Sequence, residues 1–191
     1  MDFSKEVSSS DIAARAAQAA FGHRLVTNVH RGLIAEAIVA EALGTCWEWC
    51  SADYAPWDFQ RADGLKLEVK QAASRQSWHS ATDRSSRISF DIRARKGRYD
   101  GSQWVAEHRR FAEVYIFAHH HVTTNEADHR DPAQWLFYVA RESTLPDQKQ
   151  LSLSRVISIT RPCTFTDLKA VLAAFQPCSS PAHTSPTIRL P

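Results

Sequence analysis

The segment from Trp57 to Ala72 constrains the fold of this chain more than any other. Asp63-Gly64 is a strong hairpin-turn signal. It is flanked by two short runs, Trp57 to Arg61 and Leu65 to Ala72, that read as strands. The second alternates cleanly, with Leu65, Leu67 and Val69 on one face and Glu68 and Lys70 on the other, because successive strand side chains point to opposite sides. One apolar face demands a covering layer, and the hairpin brings the earlier acid, Asp58, back beside Glu68 and Lys70. Two carboxylates and an ammonium then converge on one small volume. A hard divalent cation and a phosphodiester need such a volume.

The remaining elements follow from caps and periodicity. Asp11 is expected to cap a short Ala-rich helix, Ile12 to Ala20, ended by Gly22, and Asn28 a second helix that runs to Leu43 and stops at Gly44. The aromatic and polar stretch from Trp47 reads as a lead-in to the first strand. Arg87 to Arg95 reads as a third strand, with Ile88, Phe90 and Ile92 on one face. A basic loop with a short helix near Trp104 to Phe111 is expected next, then strands at Val114 to Val122 and Gln134 to Ala140, and a further one at Leu151 to Val156. Thr164-Phe-Thr-Asp167 resembles a capping box before a helix ending near Phe175, with Asp where Glu or Gln is usual. The order predicts an α/β fold with a mixed central sheet flanked by helices. Its expected organisation is a flexible N-terminus over 1–10, one domain over 11–175 and a disordered tail of Pro, Ser and Thr over 176–191.

Composition excludes several classes. The first residues contain acids and no apolar run, unlike a secretory signal, and no stretch reaches the 18 or so apolar residues of a membrane span. Four cysteines (Cys46, Cys50, Cys163, Cys178) make neither a disulfide framework nor a CxxC zinc pair, so a cytoplasmic protein with reduced thiols is expected. His119-His-His121 splits across two strand faces and does not make three convergent ligands. The net charge is only +2, but it is uneven. From Arg84 to Arg110 there are eight basic residues, including Arg84, Arg87, Arg93, Arg95, Lys96 and Arg98, against the acids Asp91, Asp100 and Glu107. That local excess of +5 can track a phosphate backbone, with Trp78, Tyr99 and Trp104 to stack or wedge. A solvated loop is the plainer alternative.

Hydrolysis of a phosphodiester needs an activated water and neutralised phosphoryl oxygens, which magnesium supplies when carboxylates hold it. Asp58 and Glu68 are the candidate ligands, the backbone carbonyl of Val69 a third oxygen, and Lys70 the cation beside the phosphate and water. Manganese can replace magnesium in such a set. The bland alternative is an exposed Glu–Lys strand pair and a turn aspartate. Glu36 shares a helix face with Val29, Leu33, Val39, Ala40 and Leu43, where a carboxylate is costly without a cation or donors. Ile34 and Ile38 form a second apolar face, so an outward-facing Glu36 stays open.

Glu36 on the first core helix, Asp58 in Pro56-Trp-Asp58, and Glu68-Val-Lys70 on the next strand resemble the PD-(D/E)XK nuclease superfamily, the restriction-endonuclease-like fold. Gln71 matches a polar residue often found after the lysine, and later runs at Ala112 to Phe117, Gln134 to Val139 and Gln150 to Arg155 look like strands of stand-alone members. Trp57 separates Pro56 from Asp58, a departure from the literal motif. The resemblance spans about residues 28 to 175. It implies magnesium-dependent endonuclease action on DNA, duplex above all, with Asp58, Glu68, Lys70, Gln71 and Glu36 at the site. Restriction or phage defence is the implied setting, with repair or recombination next. Cutting both strands calls for two sites, so a homodimer is among the expected assemblies. A non-catalytic DNA-binding module of the same fold is the alternative.

Overall fold

The computed structural model describes residues 7–50, 55–80 and 84–176. Helix α1 (Ser9–Phe21) and helix α2 (Asn28–Leu43) come first, followed by strands β1 (Trp47–Trp49), β2 (Phe59–Arg61) and β3 (Lys66–Ala73). Next come β4 (Ser89–Asp91), β5 (Arg95–Asp100), β6 (Gln103–Arg109), β7 (Val114–His120), β8 (Trp135–Arg141) and β9 (Gln150–Ser152). Helix α3 (Leu153–Ile159), strand β10 (Pro162–Cys163) and helix α4 (Leu168–Ala173) complete the order. Six strands form one mixed sheet in the order β1-β2-β3-β7-β8-β10. Only β3 and β7 are parallel, with Glu68 opposite Tyr115 and Lys70 opposite Phe117. The fold is therefore α/β with a mixed central sheet and helices, as the element order predicts. No helix among the described residues is long and apolar enough to cross a membrane.

The sheet has a core on each face. On one side Leu67, Val69, Val114, Ile116 and Phe137 pack with Ala35, Ile38, Val39 and Leu43 of α2 and with Leu168 and Leu172 of α4. On the other, Tyr115, Phe117 and Tyr138 pack with Phe90, Ile92, Leu151 and Val156. Strand β7 is buried along its whole length, which is why its sequence is nearly continuously apolar where β3 alternates. The face of α2 that meets the sheet differs from the expected one. Val29 and Leu33 are exposed, and the buried positions are Arg31, Ala35, Ile38, Val39 and Leu43.

Several expected elements differ. The cap of α1 is Ser8, three residues before Asp11, in a reciprocal capping box with Asp11 at its third position. Thr27, not Asn28, stands at the N-cap of α2. Trp47–Trp49 is an edge strand on β2 rather than a lead-in. The third strand shortens to Ser89–Asp91, and the expected helix near Trp104 is replaced by the β5–β6 hairpin. The cause is a second Asp-Gly turn, with Gly101 at φ +59° and Asp100 opposite Gln103. The hairpin sets Trp104 opposite Tyr99, their rings edge to face at 5.2 Å. The strand expected over Leu151 to Val156 pairs only as far as Ser152, whose hydroxyl accepts from Arg155 N and starts α3. Of the expected tail, only Gln176 lies within the described residues.

Candidate functional site

The hairpin of β2 and β3 positions the acids. Phe59 pairs with Leu67, and Asp58 stands one residue before the start of β2. Its backbone N donates to Leu67 O (2.9 Å), and its Oδ2 accepts from Val69 N (2.6 Å). The carboxylate thus takes the place of the next backbone acceptor on that edge of β3. A strand residue turns its N–H and C=O to the same edge, so the Val69 carbonyl faces the Asp58 side as well.

Glu68 and Lys70 project from the face that carries Tyr115 and Phe117. Glu68 is 3% exposed. Its Oε1 accepts from Lys70 Nζ and from Arg95 Nη2 (3.2 Å), while its Oε2 is buried with no hydrogen-bond partner. Arg95 also donates to Ala55 O (3.0 Å), which ties the root of β5 across the acids. Glu36 lies half-buried on α2, its Oε2 accepting from Trp49 Nε1 (2.9 Å).

The electrostatics run against three negative charges. Burial, then the fields of Glu68 and Glu36, push the Asp58 carboxyl up to about 7, against the Val69 N–H and the Lys70 ammonium. Glu36 is raised too, mainly by burial and next by Glu68, against the Trp49 hydrogen bond. Ionised Asp58 and the unpartnered Glu68 oxygen are both relieved by a cation, so the donors fit a divalent metal. Among the described residues, no three His, Cys, Asp or Glu side chains are grouped to hold an ion on their own. Two carboxylates, the Val69 carbonyl and water form the set these residues can offer, a sparse set of the kind magnesium accepts.

Gln71 is not brought to the same place. It lies on the opposite face of β3, where its Oε1 accepts from Arg31 Nε (2.6 Å) and its Nε2 donates to Asn28 O and Oδ1 (3.2 Å each). Arg31 also donates to Gln76 Oε1 (2.8 Å) and Asn28 Oδ1 (2.7 Å). It is 2% exposed, and burial pushes its guanidinium down to about 10. Arg31→Ala strands Gln71 Oε1 and Gln76 Oε1, leaves Asn28 Oδ1 with the Gln71 Nε2 bond alone, and is expected to cost about 3 kcal/mol in urea unfolding. A loss below about 1 kcal/mol would show that water replaces the guanidinium without penalty.

The basic residues divide into groups. Arg84 and Arg87 are exposed ahead of β4, Lys96 is exposed on β5, and Arg98 pairs with Asp100 (3.7 Å). Arg93 pairs with Asp91 (3.0 Å) and is exposed. Arg93 and Arg95 join Glu68 and Lys70 around a cavity of about 210 Å³ that Arg110 and Tyr115 complete. Sequence reasoning missed Tyr115 as a lining residue and counted Arg110 only as one charge of the basic stretch. Tyr115 reaches Glu68 only through the parallel register, which no local pattern encodes. The histidines stay apart from this site: His119 Nε2 meets Ser74 Oγ (2.9 Å), His120 Nε2 meets Asp128 O and Gln134 Oε1 (3.1 Å each), and His129 lies between Val26 N and Arg75 O. Cys46, Cys50 and Cys163 are free, and Cys178 lies outside the described residues. No protein-family model matches the chain, and no curated protein matches it.

Proposed function

We propose that this protein is a metal-dependent endodeoxyribonuclease with a restriction-endonuclease-like core. One observation carries the reading: the unpartnered, buried Oε2 of Glu68 beside the edge where Asp58 and the Val69 carbonyl face outward, with Lys70 two residues on. The resemblance of Glu68-Val-Lys70 and Asp58 to the PD-(D/E)XK superfamily supports it independently.

Asp58, Glu68 and the Val69 carbonyl would hold magnesium, with manganese as a substitute. When bound, the ion supplies Lewis acidity toward a phosphoryl oxygen and a more acidic water. The chain's own groups do the rest. Asp58 is fixed by the Val69 N–H and keeps its second oxygen for the cation. The Lys70 ammonium has three donors, of which the Glu68 bond takes one, and it offers the others to a non-bridging oxygen or the attacking water. Glu36 adds negative field from α2 and strengthens the demand for a cation. Arg84, Arg87, Lys96 and Arg98 hold the flanking backbone of duplex DNA, and a second copy of the chain would cut the other strand.

The rival is a non-catalytic DNA-binding module, and one observation favours it: Lys70 and Arg95 already balance Glu68 Oε1 without an ion. Incubation of supercoiled plasmid, linear duplex and RNA separates the two. Plasmid nicking and linearisation are expected with magnesium and not with EDTA, and Lys70→Ala is expected to slow them about 100-fold or more. DNA binding without cleavage under every condition would establish the module instead. Equal cutting by Lys70→Ala would remove the site assignment.

A further inference from the structure

Strands β5 and β6 form a two-stranded sheet of their own, apart from the six-stranded one. Between Arg95 and Arg109 only Gly97 is buried, so the ribbon meets solvent on both faces. Those faces differ in chemistry, because strand side chains alternate. Gly97, Tyr99, Trp104 and Ala106 share one face, and Lys96, Arg98 and Val105 share the other. At the root, Arg95 donates to Glu68 Oε1 and Ala55 O, which fixes the ribbon beside the candidate site. Tyr99 lies four residues on, at most about 13 Å along the strand.

The aromatic face carries a seated ring. A Cβ at position 97 would stand 2.5 Å from Trp104 Cζ2 and 2.8 Å from Cε2, so glycine is what lets the indole lie this close to the β5 backbone. Tyr99 flanks it, the rings edge to face at 5.2 Å. A cross-strand aromatic pair stabilises a lone ribbon. That role does not use the rest of the rings: Trp104 stays 53% and Tyr99 49% exposed. Held against the ribbon on one side, the indole has its other side to offer. Intercalation between paired bases needs both sides, whereas stacking on one base that has left its pair needs one. The opposite face supplies charge. Arg95 and Arg109 are engaged by Glu68 and Glu107, which leaves Lys96, exposed, and Arg98. Arg98 meets the exposed Asp100 only at 3.7 Å, a surface pair that contributes little and can exchange for a phosphate.

We propose that the β5–β6 ribbon is a base-stacking arm that stands where two DNA strands part, with Trp104 against an unpaired base and Lys96 and Arg98 against the backbone of the other strand. The inference rests on the nuclease reading for its partner and deepens it, because it selects DNA with unpaired bases over a perfect duplex. The test uses the full chain in EDTA and fluorescence anisotropy with a perfect duplex, the same duplex with an internal bubble, and that bubble with abasic sites in place of its bases. The bubble is expected to bind about tenfold more tightly than the perfect duplex, and the abasic bubble to lose that advantage. Trp104→Leu keeps an apolar cross-strand partner for Tyr99 without a π face and should abolish the preference, while Trp104→Phe should retain part of it. Hydrogen exchange of the β5 and β6 amides confirms that the ribbon persists in both variants, and the abasic probe decides on the wild type alone where it does not. Equal binding of bubble and perfect duplex, an advantage that the abasic bubble keeps, or one that survives in Trp104→Leu overturns the arm. So does a Trp104→Leu protein whose only change is lost self-association in sedimentation, which would make this face an interface between copies. Bubble preference without cleavage of any substrate keeps the arm and removes the nuclease reading, while magnesium-dependent cleavage with no bubble preference does the reverse.

Discussion

Asp58→Asn is expected to abolish cleavage and, in the same molecule, to stabilise the metal-free protein at alkaline pH. The first effect follows from the loss of an anionic ligand, at a cost on the order of 1,000-fold or more in rate. The second follows from the position of the carboxylate. Asparagine retains an oxygen for the Val69 N–H and brings no charge beside Glu68 and Glu36. The folded state raises the Asp58 carboxyl from its ordinary 3.8 to about 7. Below pH 3.8 the group is protonated folded or unfolded and its stabilising contribution is complete, and that contribution is lost as pH rises through 7. At pH 8 the ionised group then costs up to roughly 4 kcal/mol, at about 1.36 kcal/mol per unit, and less than half of that at pH 5. Urea unfolding in EDTA at the two pH values reads the difference directly. A variant no more stable than wild type at pH 8, or equally stabilised at both pH values, would remove the carboxylate-repulsion account. Magnesium at pH 8 should raise the melting temperature of the wild type and leave Asp58→Asn nearly unchanged.

The second large effect is acid lability with the opposite sign. Burial holds His119 and His129 down to about 4, against 6.5 for a free imidazole, and lowers His120 in the same direction. Between those values the unfolded chain binds the extra protons. Their stabilisation is therefore complete above about 6.5 and is lost as pH falls toward 4. Each histidine carries up to roughly 3 kcal/mol over that interval. Asp58 opposes them across the same range, so two histidines against one aspartate leave a net slope of about 1.4 kcal/mol per pH unit, which His120 steepens and the raised Glu36 carboxyl lessens. His129→Gln is expected to flatten this limb, and Asp58→Asn to make it steeper by a similar amount. Unfolding free energies measured from pH 4.5 to 7 test both slopes. A wild-type profile flat over that range would show that these imidazoles are not desolvated in the folded protein.

Alternation and turn chemistry explain which parts of this molecule could be read before the structure. The Asp63-Gly64 turn, the alternation of β3 and the length of α2 depend on neighbours a few residues apart, and the structure has them where the pattern puts them, within one or two residues. The second Asp-Gly turn was as visible as the first, but the basic residues around it masked the strand pattern of β5 and β6. Leu151 to Val156 misleads for a related reason: a short apolar run fits a strand or a helix, and Ser152 decides by capping. Site residues divide the same way. Asp58, Glu68 and Lys70 are neighbours across one hairpin. Arg95 reaches Glu68 through the return of the chain after β4, and Gln71 turns away because one step along a strand reverses the face.

The parallel pairing of β3 with β7 also orders events in time. Asp58 and Glu68 meet across a four-residue turn, whereas Tyr115 must close a loop of roughly 40 residues before it lies over Glu68, and loop-closure entropy makes the shorter contact the earlier one. The acids therefore face each other while water still screens them, and their repulsion is felt in full only when β7 docks and dries the site. The electrostatic cost of this centre therefore falls on the docking step of folding, and under the proposed metal reading a cation present at that moment would lower the barrier.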